Sequence, residues 1–254
     1  MKTTTLQSIV TNIAGMLVIV IASVSVKAQP AAARQHVLVD VSHGQIFWFD
    51  PAVPGSRKPD QVERIKYLNG ELVKNATAFN ADVSYSKGKL TPDVLAKTDV
   101  LFIHIPSAKY ETDEVKAIQQ YLQKGGSLLL VMDADYWSTL EQVNANDILS
   151  PYGIQFGKDS PIAGAGGLAK ISAITPKELS IPYHGARLVN GGTPFCYSKL
   201  TKDEPFGTFT KLKSGGKIVA MGEGMVSLYM TSWEGVNNYQ CSEFMGDVLG
   251  WLLK

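Results

Sequence analysis

VLFIHIPSAKYETDEVKAIQQYLQKGGSLLLVMD, residues 100–133, is the stretch whose reading decides the fold. It opens on VLFIHI, an apolar run of strand length. TDEVKAIQQYLQKGG follows with helical spacing of its apolar residues. Thr112 is a suitable N-cap, Asp113 and Glu114 favour the positive end of the helix dipole, and Gly125 ends the helix. SLLLVMDA then reads as another strand. Strands that are apolar throughout, separated by an amphipathic helix, imply parallel pairing with both sheet faces covered.

The same grammar extends toward the N-terminus. VLVDV at 37–41 is an apolar run, and DQVERIKYLNGELVKNATAF carries apolar residues at 62, 65, 68, 72, 73 and 76. Pro59, Asp60 and Glu63 fit a capping box at its start. ADVSYS is a second strand. TPDVLAKTD is a short helix with Thr91 as N-cap and Pro92 at its first position. The order is thus β-α-β-α-β-α-β over about a hundred residues. This predicts an α/β chain with a doubly wound, mainly parallel sheet and right-handed crossovers.

From residue 150 the texture changes. Gly, Pro and Ser become frequent and extended pieces are short, which predicts an irregular, strand-rich insertion at about 150–205. GTFTKLKSGGKIVAMGEG reads as a hairpin whose second strand, KIVAMGE, returns to the main sheet. CSEFMGDVLGWLLK is the closing helix, with a broad apolar face at 244, 245, 248, 249, 251 and 252.

The chain of 254 residues begins differently. Lys2 precedes the uncharged run MLVIVIASVSV at 16–26, and VKA at 26–28 places small residues at the −3 and −1 positions of a signal-peptidase site. This predicts a cleaved signal peptide, residues 1–28, and a periplasmic or secreted chain of one domain, 29–254. The apolar core is short for a membrane anchor. No membrane span is expected after cleavage. The net charge of +1, with no basic patch, excludes nucleic acid as the expected partner. Cys196 and Cys241 leave two alternatives open, one disulfide or two buried thiols. Asn75-Ala-Thr is a formal glycosylation sequon.

Ligands of open α/β sheets bind beyond the carboxyl ends of the strands. That rule gathers distant residues. Asp40, Ser42, His43 and Gln45 leave the first strand. His104 and Ser107 end the third, Asp133 and Asp135 the fourth, and Glu223 and Ser227 follow KIVAMGE. Such carboxylates and imidazoles could perform acid/base work, hold a metal or hydrogen-bond a polyol. Asp40, Ser42, His43, Gln45, His104, Asp133, Asp135 and Glu223 are therefore the candidates for ligand contact. Each also has a plainer reading. Asp40 can serve a neighbouring loop, His43-Gly44 can be a turn, His104 can be a satisfied core histidine, and Asp133 and Asp135 can cap a helix. Phe47, Trp48 and Phe49 are a sugar-stacking platform or core. There is no G-x-S-x-G, no H-E-x-x-H, and no close metal spacing among His36, His43, His104 and His184. GAGG at 164–167 is a weak phosphate-loop pattern. No cofactor is expected.

The order VLVDVSHGQIF, EVKAIQQYLQKGGSLLLVMDADYW, NDILSPYGIQFGKDSP, SGGKIVAMGEGMVSL and FMGDVLGWLL resembles the GIFT-type domain. That domain is shared by a gliding-motility transporter component, an intraflagellar-transport subunit and a related bacterial family of unknown function. The resemblance implies the class I glutamine amidotransferase-like, flavodoxin-like fold. Catalytic members place a Cys on the elbow after a central strand. Here the matching positions are Met132, Asp133 and Ala134, so amidotransferase activity is not implied. The GIFT group is regarded as non-catalytic, with carbohydrate or partner binding suggested for it. Three readings follow: an exported module binding a carbohydrate or similar polar molecule, a Cys-independent hydrolase or isomerase acting on sugars, or a structural subunit with a protein partner in a cell-envelope assembly.

Overall fold

The central strands are apolar through most of their length because they are buried on both faces. β1 (Gln35–Val39), β3 (Val100–His104), β4 (Ser127–Val131) and β11 (Lys217–Met221) run parallel in neighbouring positions, with β2 (Ala81–Tyr85) outside β1. Successive side chains alternate between faces. Val37, Val39, Val100, Phe102, Leu129, Val131, Val219 and Met221 enter one core layer, together with apolar residues of α1 (Pro59–Thr77) and α5 (Cys241–Leu253). Leu38, Leu101, Ile103, Leu128, Leu130, Ile218 and Ala220 enter the other, beneath α3 (Thr112–Gln123) and α4 (Ala145–Leu149). The short α2 (Pro92–Leu95) adds Leu95 to that layer. The computed structural model describes residues 33–159, 166–185, 187–201, 203–233 and 235–254. The expected signal peptide, and the first half of GAGG, lie outside the described residues. Arg34–Lys254 form one compact unit, and no helix among the described residues is long and apolar enough to cross a membrane.

The expected doubly wound, mainly parallel sheet of the amidotransferase-like or flavodoxin-like type is not what this chain builds. The sheet has nine strands in the order β2-β1-β3-β4-β11-β10-β9-β6-β7 and is mixed. β10 (Pro205–Lys211), β9 (Thr193–Ser198), β6 (Gly167–Ala169) and β7 (Leu179–Ile181) all pair antiparallel, extending the sheet beyond β11. The segment expected as an irregular, strand-rich insertion thus supplies β6, β7 and β9 to the main sheet. Its residues Ala169, Leu179, Ile181, Phe195 and Cys196 continue the core layer that α5 covers. β5 (Gln155–Asp159) and β8 (Arg187–Asn190) pair separately, and a small ribbon joins β12 (Ser232–Trp233) to β13 (Val236–Asn237). Short strands broken by Gly and Pro carry no parallel or antiparallel label in their own sequence. Pairing partners fixed the outcome.

Two helix starts also differ from expectation. α1 is capped by Lys58, whose backbone N–H donates to Gln61 Oε1 at 3.1 Å, so the Asp60/Glu63 pair plays no capping part. α3 begins one residue early. Glu111 is its N-cap, and the Glu111 N–H donates to Glu114 Oε2 at 3.0 Å. The cysteines are separate buried thiols, with the Cys241 thiol donating to the Met230 carbonyl at 2.9 Å. The Asn75 side chain is buried and donates to the Ser242 carbonyl, so this sequon presents no surface acceptor.

Candidate functional site

The carboxyl ends of the parallel strands carry two polar clusters, and they differ in kind. Asp40 follows β1 directly and is fully buried. Its Oδ2 accepts from the Gln45 amide at 2.7 Å, the Tyr110 hydroxyl at 2.7 Å and His43 Nδ1 at 2.9 Å. Its Oδ1 accepts from the Ser42 N–H at 3.0 Å and the Ser86 hydroxyl at 3.1 Å. On the far side of the ring, His43 Nε2 faces Glu114 at 3.1 Å, and the ring stacks on Tyr110 with centroids 4.0 Å apart. Glu114 also accepts the backbone N–H groups of Leu90 and Glu111. The loop turns at Gly44, which has φ of +68°; a Cβ there would lie 2.3 Å from Ser107 Oγ.

The charges of this cluster support one another. Burial pushes His43 down, but its bonds to Asp40 and Glu114 outweigh that and raise its pKa. Burial pushes Asp40 up, yet His43, Tyr110 and the Ser42 N–H hold it below the usual carboxylate range. Glu114 is likewise lowered: burial is outweighed by the N–H groups of Glu111 and Leu90 and by His43. Each of the three is shifted toward its charged form, the imidazole between two carboxylates. Asp40, Ser42, His43 and Gln45 are thus brought together, and their polar atoms are engaged with each other.

The second cluster stands two strands further along, past β3, where β4 and β11 end. β4 and β11 pair in register, Val131 opposite Met221. Asp133 and Glu223, each two residues beyond, therefore leave the sheet side by side. Asp133 accepts the Ala134 N–H at 2.6 Å on Oδ1 and the Gly224 N–H at 2.7 Å on Oδ2. Glu223 accepts the Met225 N–H at 2.8 Å on Oε1. His184 closes the group, with its N–H 3.0 Å and its Nδ1 2.8 Å from Glu223 Oε2, and its Nε2 3.9 Å from Asp133 Oδ1. Asp133 and Glu223 are buried, whereas the His184 side chain is 25% exposed. Burial first, then the neighbouring Glu223, push Asp133 up to about 7. These three residues each place a metal-competent atom within 4.8 Å of the others.

Glycines make this arrangement possible. A Cβ on Gly222 would lie 1.9 Å from the Arg187 carbonyl oxygen, and the Arg187 N–H donates to the Gly222 carbonyl at 2.8 Å. The chain entering β8 thus crosses close over the end of β11, which sets His184 over Glu223. A Cβ on Gly224 would lie 2.6 Å from Asp133 Oδ2. Ile105, at the end of β3, holds a left-handed φ of +42° beside it, a conformation costly for a β-branched residue.

His104 is fully buried behind this cluster, with its Nε2 3.2 Å from the Gly224 carbonyl. Burial lowers its pKa to about 4, so it is a neutral core histidine. Asp135 does not join the triad. It pairs with the buried Arg187, which also donates to the Ser138 carbonyl at 3.0 Å. Ser227 donates to the Gly224 carbonyl. Trp48 and Phe49 are core, and Phe47 packs edge-on against His104 and Trp137. Exposed aromatic surface comes from elsewhere: Tyr136, edge-on to Trp137, and Trp233, whose ring centroid is 6.4 Å from that of His184. Sequence reasoning missed His184, Tyr110, Glu114 and Ser86. His184 sits in the Gly- and Pro-rich segment, and no sequence period links it to strands on either side. Glu114 was visible only as a helix-dipole partner. Cavities of about 490 Å³ at the amino ends of the strands and about 620 Å³ near Tyr110 and Asn144 do not take in the triad.

The model of the IFT52 GIFT domain matches residues 62–166. No curated protein sequence matches the chain. Among solved structures, the mmIFT52 N-terminal domain superposes with a TM-score of 0.58 at 17% identity, over 86% of this chain and 97% of that one. The cytoplasmic protein STM1381 from Salmonella typhimurium LT2 gives 0.54 at 13% identity, over 85% and 98%. The cytoplasmic protein STM3548 from Salmonella typhimurium gives 0.52 at 11%, over 85% and 97%. The GIFT resemblance is thus supported from α1 to β5 by the family match, and the mixed-sheet fold is the one found in the IFT52 N-terminal domain. That match includes Asp133 but not Asp40, His184 or Glu223.

Proposed function

We propose that this chain is an exported GIFT-fold binding protein that takes a carbohydrate or similar polar molecule on the rim around His184. One observation carries the reading: a quarter-exposed imidazole, held by Glu223, opens a buried carboxylate pair to the surface next to the exposed ring of Trp233. Sugars are recognised by such a pairing of polar acceptors with an aromatic face. The Asp40 loop, in contrast, is engaged internally. Export rests on the leader at 1–28, with its charged start, apolar core and small residues before Gln29.

The envelope-subunit reading gains little support. Ile171 and Leu200 are exposed in the antiparallel half, but the β6–β9 register sets them at opposite ends of that ladder, so they make no common patch.

The test is a thermal-shift and fluorescence titration of the purified chain against an oligosaccharide panel. A ligand at a hundred times its Kd stabilises by about 2.7 kcal/mol. Saturable stabilisation that Trp233→Ala and His184→Ala both abolish supports the reading. Stabilisation that survives both variants, or none with any member of the panel, overturns it. N-terminal sequencing of the exported protein checks the leader, with Gln29 expected as the first residue.

A further inference from the structure

We propose that Asp133, His184 and Glu223 form a site for one divalent transition-metal ion, with Asp133 Oδ1 and His184 Nε2 bracketing the ion and Glu223 holding the imidazole from behind. The inference goes beyond carbohydrate binding, because metal uptake is measured with no sugar present.

The spacing carries the argument. His184 Nε2 and Asp133 Oδ1 stand 3.9 Å apart. That is too long for a direct hydrogen bond, which spans about 2.7–3.2 Å. An intervening water would have to close its angle to about 90° or less to reach both atoms at such distances, tighter than its usual tetrahedral arrangement. Two metal bonds of about 2.0–2.2 Å each fit such a gap once the bond angle at the ion is opened. Glu223 Oε2 lies 2.8 Å from Nδ1. A carboxylate on that nitrogen fixes the tautomer that turns the Nε2 lone pair toward the ion, the usual arrangement behind a metal-bound histidine.

The carboxylates are preset. The Ala134 and Gly224 N–H groups fix both oxygens of Asp133, and the Met225 and His184 N–H groups fix those of Glu223. Only glycine at 224 lets the backbone approach Asp133 Oδ2 this closely. Charge points the same way. Two buried carboxylates face one imidazole, and among the described residues no lysine or arginine pairs with either. The nearby Arg187 is committed to Asp135. The mixed nitrogen and oxygen donors suit zinc, cobalt or manganese rather than calcium, which takes six to eight oxygens. The His184 side chain is 25% exposed, which puts the edge of the site at the protein surface.

The experiment uses tag-free chain stripped with chelator and dialysed, then titrated with zinc by calorimetry, with bound metal counted by mass spectrometry. One equivalent of zinc is expected. His184→Ala and Asp133→Asn should each weaken binding by at least about tenfold, the loss that even an outer orienting group commonly causes. Glu223→Gln should weaken it as an orienting group does, and His36→Ala, which alters the exposed His36–Asp82 pair, should leave it unchanged. Cobalt loading with X-ray absorption should show one imidazole ligand. No uptake by the wild type, uptake unchanged in Asp133→Asn, or a cobalt shell without imidazole overturns the site. Circular dichroism reports whether His184→Ala folds; if it does not, the near-isosteric Asp133→Asn and the cobalt spectrum decide.

Discussion

Two clusters of the same residue types, carboxylate and histidine, sit on one edge of one sheet and have opposite characters. Around Asp40 the charges alternate: carboxylate, imidazolium, carboxylate, with hydroxyl, amide and N–H donors around them. Around Asp133 two carboxylates lie together, with one imidazole displaced toward solvent. Burial raises a carboxylate's pKa in both places. In the first, donors and a cation more than compensate, and Asp40 ends low. In the second, burial and then the charge of another acid, Glu223, prevail, and Asp133 ends at about 7. Residue type therefore does not separate a structural network from a receptive one. The number of donors aimed at each carboxylate does.

The largest expected effect comes from breaking the first cluster. Asp40→Ala leaves the His43 imidazolium facing only Glu114 and strips the Gln45, Tyr110 and Ser86 donors of their common acceptor. Removing one partner from a buried charge pair costs about 3–5 kcal/mol, read as a loss in denaturant midpoint. A loss below about 1 kcal/mol would show that the Asp40 cluster is not the stability element described. Tyr110→Phe is a narrower cut. It keeps the ring stacked on His43 and removes only the hydroxyl that donates to Asp40 at 2.7 Å. Hydrogen bonds to charged groups contribute about 1.5–3 kcal/mol, and equilibrium unfolding of this variant should show a loss in that range.

Much of the first cluster was legible in the sequence, because Asp40, Ser42, His43 and Gln45 lie within six residues at a strand exit. Its outer members were not. Tyr110 and Glu114 come from the next crossover, and Ser86 ends a neighbouring strand, so only the parallel register brings them to Asp40. The second cluster was half legible. Asp133 and Glu223 were placed by strand ends, while His184 lies in a segment read as irregular. The same limit shaped the fold. The β-α alternation up to Val131 is written in hydrophobic period and capping residues. The hairpin that sets β10 antiparallel beside β11 was legible too, whereas the rest of the antiparallel half depends on short strands with weak patterns of their own. Extending a parallel sheet by antiparallel pairing is a tertiary choice, and it overturned the doubly wound expectation.

The pH profile sharpens the contrast further. Asp40 and Glu114 have lowered folded pKa values, so their contribution is present above the ordinary carboxylate values of 3.8 and 4.5 and is lost as pH falls through the folded values. His43 is raised, so its contribution is full below 6.5 and is lost as pH rises through its folded value. The Asp40 cluster should therefore stabilise most between about 4.5 and 6.5. A Tyr110→Phe protein should lose part of that window and keep the rest of the profile.

The smallest expected change in stability is at the other cluster. A carboxyl group raised to about 7 favours the folded state when protonated, and that advantage is lost as pH rises from about 4 toward 7. Asparagine resembles the protonated acid in shape and carries no charge to repel Glu223. Asp133→Asn in chelator-treated protein should therefore relieve the charge penalty at pH 7 but leave the Ala134 or Gly224 N–H facing an amide nitrogen, a cost of about 1–3 kcal/mol, so that the net change stays smaller than at Asp40. It should also flatten the decline across that interval while leaving the acid limb of Asp40 and the alkaline limb of His43 in place. Urea midpoints at several pH values decide it. A cost at Asp133 as large as that at Asp40 would mean that both clusters are structural networks, and the contrast drawn between them would fail. A flat response at Asp133 beside a steep one at Asp40 would leave a buried carboxylate that contributes little to the fold, and whose retention then has to be explained by what it binds.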